Sequence, residues 1–180
     1  MQAELIFNPH SGQVAVRREI KETISFLESF GWQVNLSETS ESCPGSTLAK
    51  KAIEKGANVI IAAGGDGTVN EVANGMVNSG AKLGVLPVGT TNSWALQMGI
   101  PALNPMHPGS AVAKFITGME ERFDYQSPVN HYRKVIQSAA HVLVEGGTVA
   151  GDMGKICSRY FLMWAGIGLD AAITESISSK

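Results

Sequence analysis

A short apolar run that ends in closely spaced glycines constrains this chain more than any other feature. Residues 59–63 are all apolar, and residues 64–67 read Gly-Gly-Asp-Gly. An apolar run of this length predicts a buried strand, and the amphipathic pattern at 69–78 predicts a helix. The glycines therefore occupy the turn between a strand and the helix that follows it.

A turn of this composition is typical of an anion-binding site. Glycine has no Cβ atom, so main-chain N–H groups approach a phosphate closely. The N–H groups at the start of the helix, around residues 68–70, lack intrahelical partners and lie at its positive end. A carboxylate at Asp66 suits a phosphate site if a metal ion or a transferable proton lies between the two. The alternative is an ordinary Asp-Gly turn with Thr68 as the helix N-cap, but such a turn needs only one glycine.

Strand-like and helix-like segments alternate along the N-terminal half of the chain. The predicted strands are 5–7, 32–36, 59–63 and 83–86, and the predicted helices are 16–30, 47–55, 69–78 and 93–98. Strict alternation favours parallel strands joined by right-handed crossovers, with helices on both faces of the sheet. Ligands of such sheets bind at the carboxyl ends of the strands. The sequence therefore predicts an α/β domain built on a parallel sheet.

Composition narrows the class of protein further. A chain of 180 residues with 44% hydrophobic content suffices for one core and at most a piece of a second domain. The net charge of −2 gives no indication of a nucleic-acid-binding surface. Cys43 and Cys157 are too few for a disulfide framework or a zinc site, which indicates a reducing, cytoplasmic setting. We expect neither a secretion signal nor a membrane span, since no stretch approaches about eighteen apolar residues.

Two further segments follow predicted strands in the same way as the glycine-rich turn. Residues 8–12 read Asn-Pro-His-Ser-Gly, and residues 86–92 read Leu-Pro-Val-Gly-Thr-Thr-Asn. The glycine-rich turn matches neither the Walker A motif nor the Gly-x-Gly-x-x-Gly dinucleotide fingerprint. Together the three segments resemble the diacylglycerol kinase catalytic-domain family, which includes bacterial lipid kinases, sphingosine kinases and ceramide kinases. NAD kinases share the Gly-Gly-Asp-Gly element on a related fold, but the other two segments favour the lipid-kinase group.

The resemblance implies an activity, cofactors and site residues. The implied reaction transfers the γ-phosphoryl group of ATP, with Mg²⁺, to the hydroxyl group of a diacylglycerol or sphingoid-type lipid. Asp66 is implied to be catalytic, either as a water-mediated Mg²⁺ ligand or as the acceptor of the substrate proton. Asp152 and Asp170 match aspartates near the lipid headgroup or metal. The residues implied to bind ATP are Asn8, Pro9, His10, Ser11, Gly12, Thr39, Gly64, Gly65, Asp66, Gly67, Thr68, Val69, Asn70, Thr90 and Asn92.

The chain departs from the family pattern at three positions. Gln13 stands where a lysine is common, Leu96 where an arginine is common, and Ser93 where an aspartate is common. A phosphate clamp that lacks such cations loses on the order of several kcal/mol of transition-state stabilisation. The candidates to replace the missing cations are Arg17, Arg18 and Lys155.

Breaks in the pattern predict the domain organisation. We assign 1–152 to the nucleotide-binding domain, with an insertion near 104–136, and 153–180 to the beginning of an incomplete β-rich lipid-binding domain. Family members carry a late Asp-Gly-Glu motif whose aspartate is thought to act as the base, and this sequence does not contain it. We therefore expect either a fragment or a naturally short protein, and no activity from this chain by itself.

Two other functions stay open on the sequence alone. One is a non-catalytic nucleotide or lipid sensor that keeps the pocket without the base and the cations, and the other is an NAD kinase. The expected partners are ATP and a lipid substrate at a membrane surface, which a cytoplasmic protein contacts peripherally, and no nucleic acid. Self-association through an unpaired apolar strand at 160–165 is also predicted, because such edges pair with other chains.

Overall fold

The secondary structure follows the predicted alternation of strands and helices. A computed structural model describes residues 1–12, 16–102 and 128–163. The parallel strands are Gln2–Phe7 (β1), Gln33–Glu38 (β2), Val59–Gly64 (β3) and Lys82–Pro87 (β4). The helices are Arg17–Ser29 (α1), Gly45–Glu54 (α2), Asp66–Met76 (α3), Ser93–Gln97 (α4) and Pro128–Glu145 (α5). A short hairpin consists of Gly154–Ile156 (β5) and Arg159–Phe161 (β6).

The parallel strands form one sheet in the order β2-β1-β3-β4. Ala3 of β1 pairs with Val34 of β2 on one side and with Val59 of β3 on the other. The chain thus builds the sheet outward in one direction from β1 and then in the opposite direction from β3. Open α/β sheets bind ligands where this direction reverses, outside the carboxyl ends of the strands. The predicted α/β fold is confirmed, and its switch point lies between β1 and β3.

Helices cover both faces of the sheet because successive side chains of a strand point to opposite faces. On one face, Ile61 packs in a cluster with Ile20 of α1 and Ile136 of α5. On the other face, Ile60 packs in a cluster with Val72 of α3 and with residues of α2. Every residue of β3 is buried, which explains why its sequence is a continuous apolar run rather than an alternating one.

Helix α3 begins at Asp66, three residues before the position that the apolar pattern predicted. Gly65 is the N-cap and has the extended backbone typical of that position. Its carbonyl oxygen accepts the first intrahelical hydrogen bond, from the N–H of Val69 at 3.0 Å. The alternative interpretation of Thr68 as the N-cap is therefore wrong. The Asp-Gly-Thr sequence is the first turn of the helix, where an acidic side chain is favourable.

Helix α5 begins at Pro128, inside the segment near 104–136 that the sequence assigned to an insertion. In the sequence, polar residues around 130–134 interrupt the apolar pattern of this helix. Ile136 is 1% exposed, and Tyr132, one helical turn earlier, packs against the same core. The end of the insertion predicted near 104–136 is thus part of this helix, and residues 103–127 lie outside the described residues.

Helix α5 has 18 residues, which is close to the length of a membrane span. Its surface is two-sided: Ala139 and Ala140 are buried against the sheet, and Gln137 and Glu145 are exposed. In the part of the chain that the structure describes, no helix combines the length and the apolar character needed to cross a bilayer.

The β5–β6 hairpin corrects the prediction of an unpaired strand at 160–165. Strand β6 ends at Phe161 and pairs with β5, with Lys155 opposite Tyr160. Its other edge contacts α3, so neither edge of the described strand lacks a partner. The reason given for self-association therefore no longer holds for residues 159–161. Residues 164–180 lie outside the described residues, and the domain boundary after residue 152 stays a prediction.

Candidate functional site

Three loops meet at the carboxyl edge of the sheet, and hydrogen bonds join the first to the second. The loop after β1 starts at Asn8, whose Nδ2 donates to the hydroxyl oxygen of Thr68 over 3.0 Å. The Ser11 hydroxyl lies 3.5 Å from that oxygen and accepts a hydrogen bond from the N–H of Gly65 at 3.4 Å. The structure therefore brings together the segments that the sequence predicted to meet after β1 and β3.

Glycines allow the loops after β3 and β4 to touch. A Cβ atom at Gly89 would lie 2.3 Å from the Cα atom of Gly65 and 2.9 Å from its nitrogen. Both are main-chain atoms, so no side-chain rotation relieves the contact. A Cβ atom at Gly64 would lie 2.5 Å from the Cβ and Oγ1 atoms of Thr68. These glycines are therefore needed for the packing of the loops.

Asp66 connects the second loop to the third. Its Oδ2 accepts the main-chain N–H of Ser93 at 3.0 Å, and its Oδ1 accepts that of Trp94 at 3.0 Å. These are the first N–H groups of α4, which have no partner within their own helix. A carboxylate offers about four lone-pair positions, so Asp66 retains acceptor capacity for a cation or a proton. Asp66 thus caps α4 from the first turn of α3.

Asn92 fixes the shape of the third loop. Its side chain is buried, its Oδ1 accepts the N–H of Gly89 at 2.9 Å, and its Nδ2 donates to the Gly89 carbonyl at 2.8 Å. Its backbone is left-handed, with φ of 53°, a conformation that asparagine tolerates better than most residues. The amide is thus occupied within its own loop, whereas Thr90 is exposed.

The N-terminus of α3 offers main-chain donors at the centre of these loops. The N–H groups of Asp66, Gly67 and Thr68 precede the first intrahelical donor, the N–H of Val69. Gly67 is exposed, and a Cβ atom placed on it would have no atom within 4 Å. Unpaired N–H groups at the positive end of a helix suit a phosphate or another anion. The N-terminus of α3 therefore has main-chain donors at the position where the sequence predicted a phosphate site.

The rest of the first loop lies around the end of β1. The N–H of His10 donates to the Oδ1 of Asn8 at 2.9 Å, which forms a turn stabilised by the asparagine side chain. The N–H of Thr39 donates to the carbonyl oxygen of Phe7 at 2.9 Å. Thr39 therefore lies beside the residue that precedes the loop. Pro9 and Gly12 also belong to this loop, and residues 13–15, which include Gln13, lie outside the described residues.

Some predicted site residues have other surroundings. Val69 is 3% exposed and packs in the core beneath the glycine-rich turn. The Oδ1 of Asn70 accepts the N–H of Leu162 at 3.3 Å, so this side chain faces the hairpin. Asp152 is exposed in the segment before β5, and Asp170 lies outside the described residues.

Two residues of α3 outside the predicted site, Glu71 and Asn74, join this helix to its neighbours. The Oε2 of Glu71 accepts the N–H of Gly45, the first residue of α2, at 3.2 Å. Asn74 forms hydrogen bonds with both main-chain polar groups of Tyr160 in β6. Asparagine is unfavourable inside a helix, and its recurrence after four residues, at 70 and 74, was the available signal.

Among the candidate replacement cations, Arg17 lies at the carboxyl edge of the sheet. Its guanidinium forms a bidentate pair with the carboxylate of Glu38 and lies 5.8 Å from the ring centroid of Phe7. Phe7 and Glu38 are the last residues of β1 and β2. The pair is exposed to solvent, which weakens it, so the guanidinium is able to exchange partners.

The other two candidates point elsewhere. Arg18 pairs with Glu22 one turn further along the exposed side of α1. The ammonium of Lys155 lies 5.0 Å from the ring centroid of Tyr160 within the hairpin. Their described contacts therefore involve their own helix or hairpin rather than the loops.

The acidic residues at the site do not form a metal cage of their own. Within residues 1–12, 16–102 and 128–163, no three His, Cys, Asp or Glu side chains come close enough to hold an ion. Mg²⁺ in nucleotide sites commonly uses only one or two carboxylates, with phosphate oxygens and water completing the shell. A single carboxylate at Asp66 is compatible with that arrangement.

We predict that Thr68→Val lowers the free energy of unfolding by about 1 kcal/mol, the usual net value of one hydrogen bond. Valine keeps the shape of threonine but removes the acceptor of the Asn8 amide. Urea unfolding measures the change, with Thr91→Val as the control, because Thr91 is exposed. Equal stabilities of the two variants would contradict a stabilising Asn8–Thr68 bond.

Comparison with known proteins agrees with this architecture. A family model described as the diacylglycerol kinase catalytic domain matches residues 2–127. The diacylglycerol kinase of Bacillus subtilis (strain 168) is 30% identical over 181 aligned positions, which cover 99% of this chain and 50% of that protein. A diacylglycerol kinase of Staphylococcus aureus (strain JH9) is 29% identical, covering 99% and 47% respectively. The chain spans about half the length of these curated relatives.

A solved structure supports the fold independently of the motifs. The crystal structure of a diacylglycerol kinase from Bacillus anthracis str. Sterne superposes with a TM-score of 0.64 at 21% identity. The superposition covers 89% of this chain and 45% of that one. The family match extends over more than half of the chain and includes all three loops at the carboxyl edge. The chain therefore belongs to the diacylglycerol kinase catalytic-domain family.

Proposed function

We propose that the protein containing this chain transfers the γ-phosphoryl group of ATP to the hydroxyl group of a lipid, such as a diacylglycerol or a sphingoid base. The observation that carries the proposal is the junction of the three loops around the N-terminus of α3. Membership of the diacylglycerol kinase catalytic-domain family supports a lipid acceptor over a soluble dinucleotide such as NAD. Because the chain spans about half of its curated relatives, the proposal concerns the complete polypeptide.

The residues present fit a nucleotide phosphate group. The first N–H groups of α3 bind phosphate oxygens, and the exposed Gly67 leaves room for them. Asn8 and Ser11 position that helix turn through Thr68 and Gly65. Bound ATP supplies the phosphoryl group, and Mg²⁺ neutralises the charge that develops during its transfer.

Asp66 has two roles to reconcile in this proposal. Its hydrogen bonds to the first N–H groups of α4 hold the second and third loops together. The remaining lone pairs allow it to bind Mg²⁺ through water or to accept the proton of the lipid hydroxyl. We assign loop positioning to Asp66 as its first role, since both oxygens already accept a hydrogen bond.

A non-catalytic nucleotide sensor is the second candidate function. The observation that favours it concerns charge: Leu96 and Ser93 supply neither a cation nor an acid to the third loop. Arg17, the candidate replacement cation at the carboxyl edge, would have to leave its pair with Glu38 to bind a phosphate. A site with main-chain donors and few cations binds a nucleotide more readily than it stabilises the transition state of transfer.

A transfer assay with the complete protein separates these functions. The protein is incubated with γ-labelled ATP, Mg²⁺ and detergent micelles that contain a diacylglycerol or sphingosine, or with NAD in solution. We expect the label in a lipid phosphate. Nucleotide binding by calorimetry without transfer to either acceptor would support the sensor. Label in NADP would overturn the lipid assignment, and the absence of nucleotide binding would overturn both.

A further inference from the structure

Two asparagines of α3 bind the edge of β6 that does not pair with β5. The Oδ1 of Asn74 accepts the N–H of Tyr160 at 2.9 Å, and its Nδ2 donates to the Tyr160 carbonyl at 2.8 Å. One turn earlier, the Oδ1 of Asn70 accepts the N–H of Leu162 at 3.3 Å. The side chain of Leu162 packs against the core cluster that contains Val72. The hairpin is thus attached by hydrogen bonds and by an apolar contact.

The spacing of the asparagines matches the spacing of the strand. Four residues of an α-helix rise about 6 Å, and two residues of a strand rise about 6.6 Å. Residues 70 and 74 therefore face residues 162 and 160 along the same edge. Alternate residues of a strand direct their main-chain groups to the same side, so Tyr160 and Leu162 are the ones available to α3. The two amides replace a neighbouring strand.

Asn74 is fully occupied in this arrangement. Its second N–H donates to the carbonyl oxygen of Asn70 at 2.8 Å, so both donors and the acceptor are used. Within residues 1–12, 16–102 and 128–163, Asn70 in contrast uses its side chain only as an acceptor from Leu162. This difference predicts different effects of the same substitution at the two positions.

Helix α3 links the hairpin directly to the candidate phosphate site. Asp66, Gly67 and Thr68 form its first turn, Asn70 lies in the next turn, and Asn74 lies one turn beyond. A helix is a rigid connector over this distance, so movement of the hairpin relative to α3 also moves it relative to the loops. The asparagine bonds fix this relative position.

We propose that Asn70 and Asn74 are positioning residues that hold the β5–β6 hairpin in register with the phosphate site. This inference rests on the proposed lipid kinase function, in which an acceptor must meet the γ-phosphoryl group. It reassigns Asn70, which the sequence placed among the ATP-binding residues, to the hairpin. Proximity and orientation of the two substrates contribute a large part of the rate acceleration in phosphoryl transfer.

Asn74→Asp is the primary test. It keeps the shape but replaces both N–H donors with an acceptor that faces the carbonyl oxygens of Tyr160 and Asn70. We expect amide hydrogen exchange at Tyr160 and Leu162 to become faster by about tenfold or more, the consequence of losing two hydrogen bonds. Asn70→Asp retains the acceptor for Leu162, so exchange there should change by less than about threefold. Mass spectrometry of the complete protein measures both.

Kinetics separate positioning from general destabilisation. In the complete protein, Asn74→Asp should lower kcat/KM for the lipid by about tenfold and leave the dissociation constant for ATP unchanged. Asn35→Asp makes the same change at an exposed position of β2 and is the control for both readouts. Unchanged exchange at Tyr160, or an equal loss of ATP affinity and lipid turnover, would overturn the proposal.

The two proposals fail in distinguishable ways. A wild-type protein that phosphorylates no lipid overturns the proposed function and the acceptor-positioning role with it. Exchange at Tyr160 and Leu162 still decides whether the asparagines hold the hairpin, because that measurement needs no activity. Normal lipid kinetics for Asn74→Asp, together with faster exchange, would leave the kinase function standing and overturn the positioning role.

Discussion

Gly89→Ala is expected to weaken nucleotide binding by about 10- to 100-fold, the loss of one hydrogen bond from a main-chain N–H to a charged phosphate. The added Cβ atom would lie 2.3 Å from the Cα atom of Gly65, so the two loops must separate. Separation moves the N-cap of α3 and the donors that follow it. Overpacking of this kind also lowers the free energy of unfolding, by about 1–3 kcal/mol.

Calorimetry with a non-hydrolysable ATP analogue measures the affinity, and thermal unfolding measures the stability. Gly80→Ala is the matched control, because a Cβ atom at Gly80 has no atom within 4 Å and its φ is not left-handed. If the Gly89→Ala variant bound the nucleotide as tightly as the wild-type protein, the third loop would not shape the phosphate site.

The sheet and the position of the site were predictable from local sequence. The apolar run that forms β3 is buried on both faces of the sheet, and only a central parallel strand needs that pattern. Glycines at 64 and 65, the last residue of β3 and the N-cap of α3, mark the change from strand to helix. In an α/β fold the carboxyl ends of the strands share one edge, so the order of the motifs along the chain was enough to bring the loops together.

The partners of the polar side chains were not predictable in the same way. Asn92 and Asp66 belong to motifs that the sequence assigned to ATP, yet both bind main-chain groups of the third loop. A sequence identifies the residue type, but the fold decides which unpaired N–H lies beside it. The same reason explains Asn74, whose partner Tyr160 lies far along the chain.

The structure explains why the loops stay connected with Ser93 in place of the aspartate that is common at this position. Asp66 binds the main-chain N–H of Ser93, not its side chain. Any residue other than proline supplies that donor, so the loss of the common aspartate leaves the connection between the loops intact.

Asp66→Asn is expected to lower both stability and nucleotide affinity. Asparagine keeps one acceptor oxygen and places an NH₂ group against the N–H of Ser93 or Trp94, where two donors then face each other. Loss of a charge-assisted hydrogen bond at a helix start costs about 2 kcal/mol, which lowers the Tm of a chain of this size by several degrees. Thermal unfolding and calorimetry with the ATP analogue measure the two effects.

The pattern of effects distinguishes loop positioning from chemistry at Asp66. If its main role is to cap α4, the nucleotide dissociation constant rises together with the loss of stability. The control is Glu28→Gln, the corresponding change from carboxylate to amide at an exposed position, and it should alter neither quantity. If its main role is to accept the lipid proton, kcat falls while stability and nucleotide affinity stay at the wild-type values. Because both carboxylate oxygens already accept a main-chain N–H, we expect the first pattern, with a fall in kcat in addition to it.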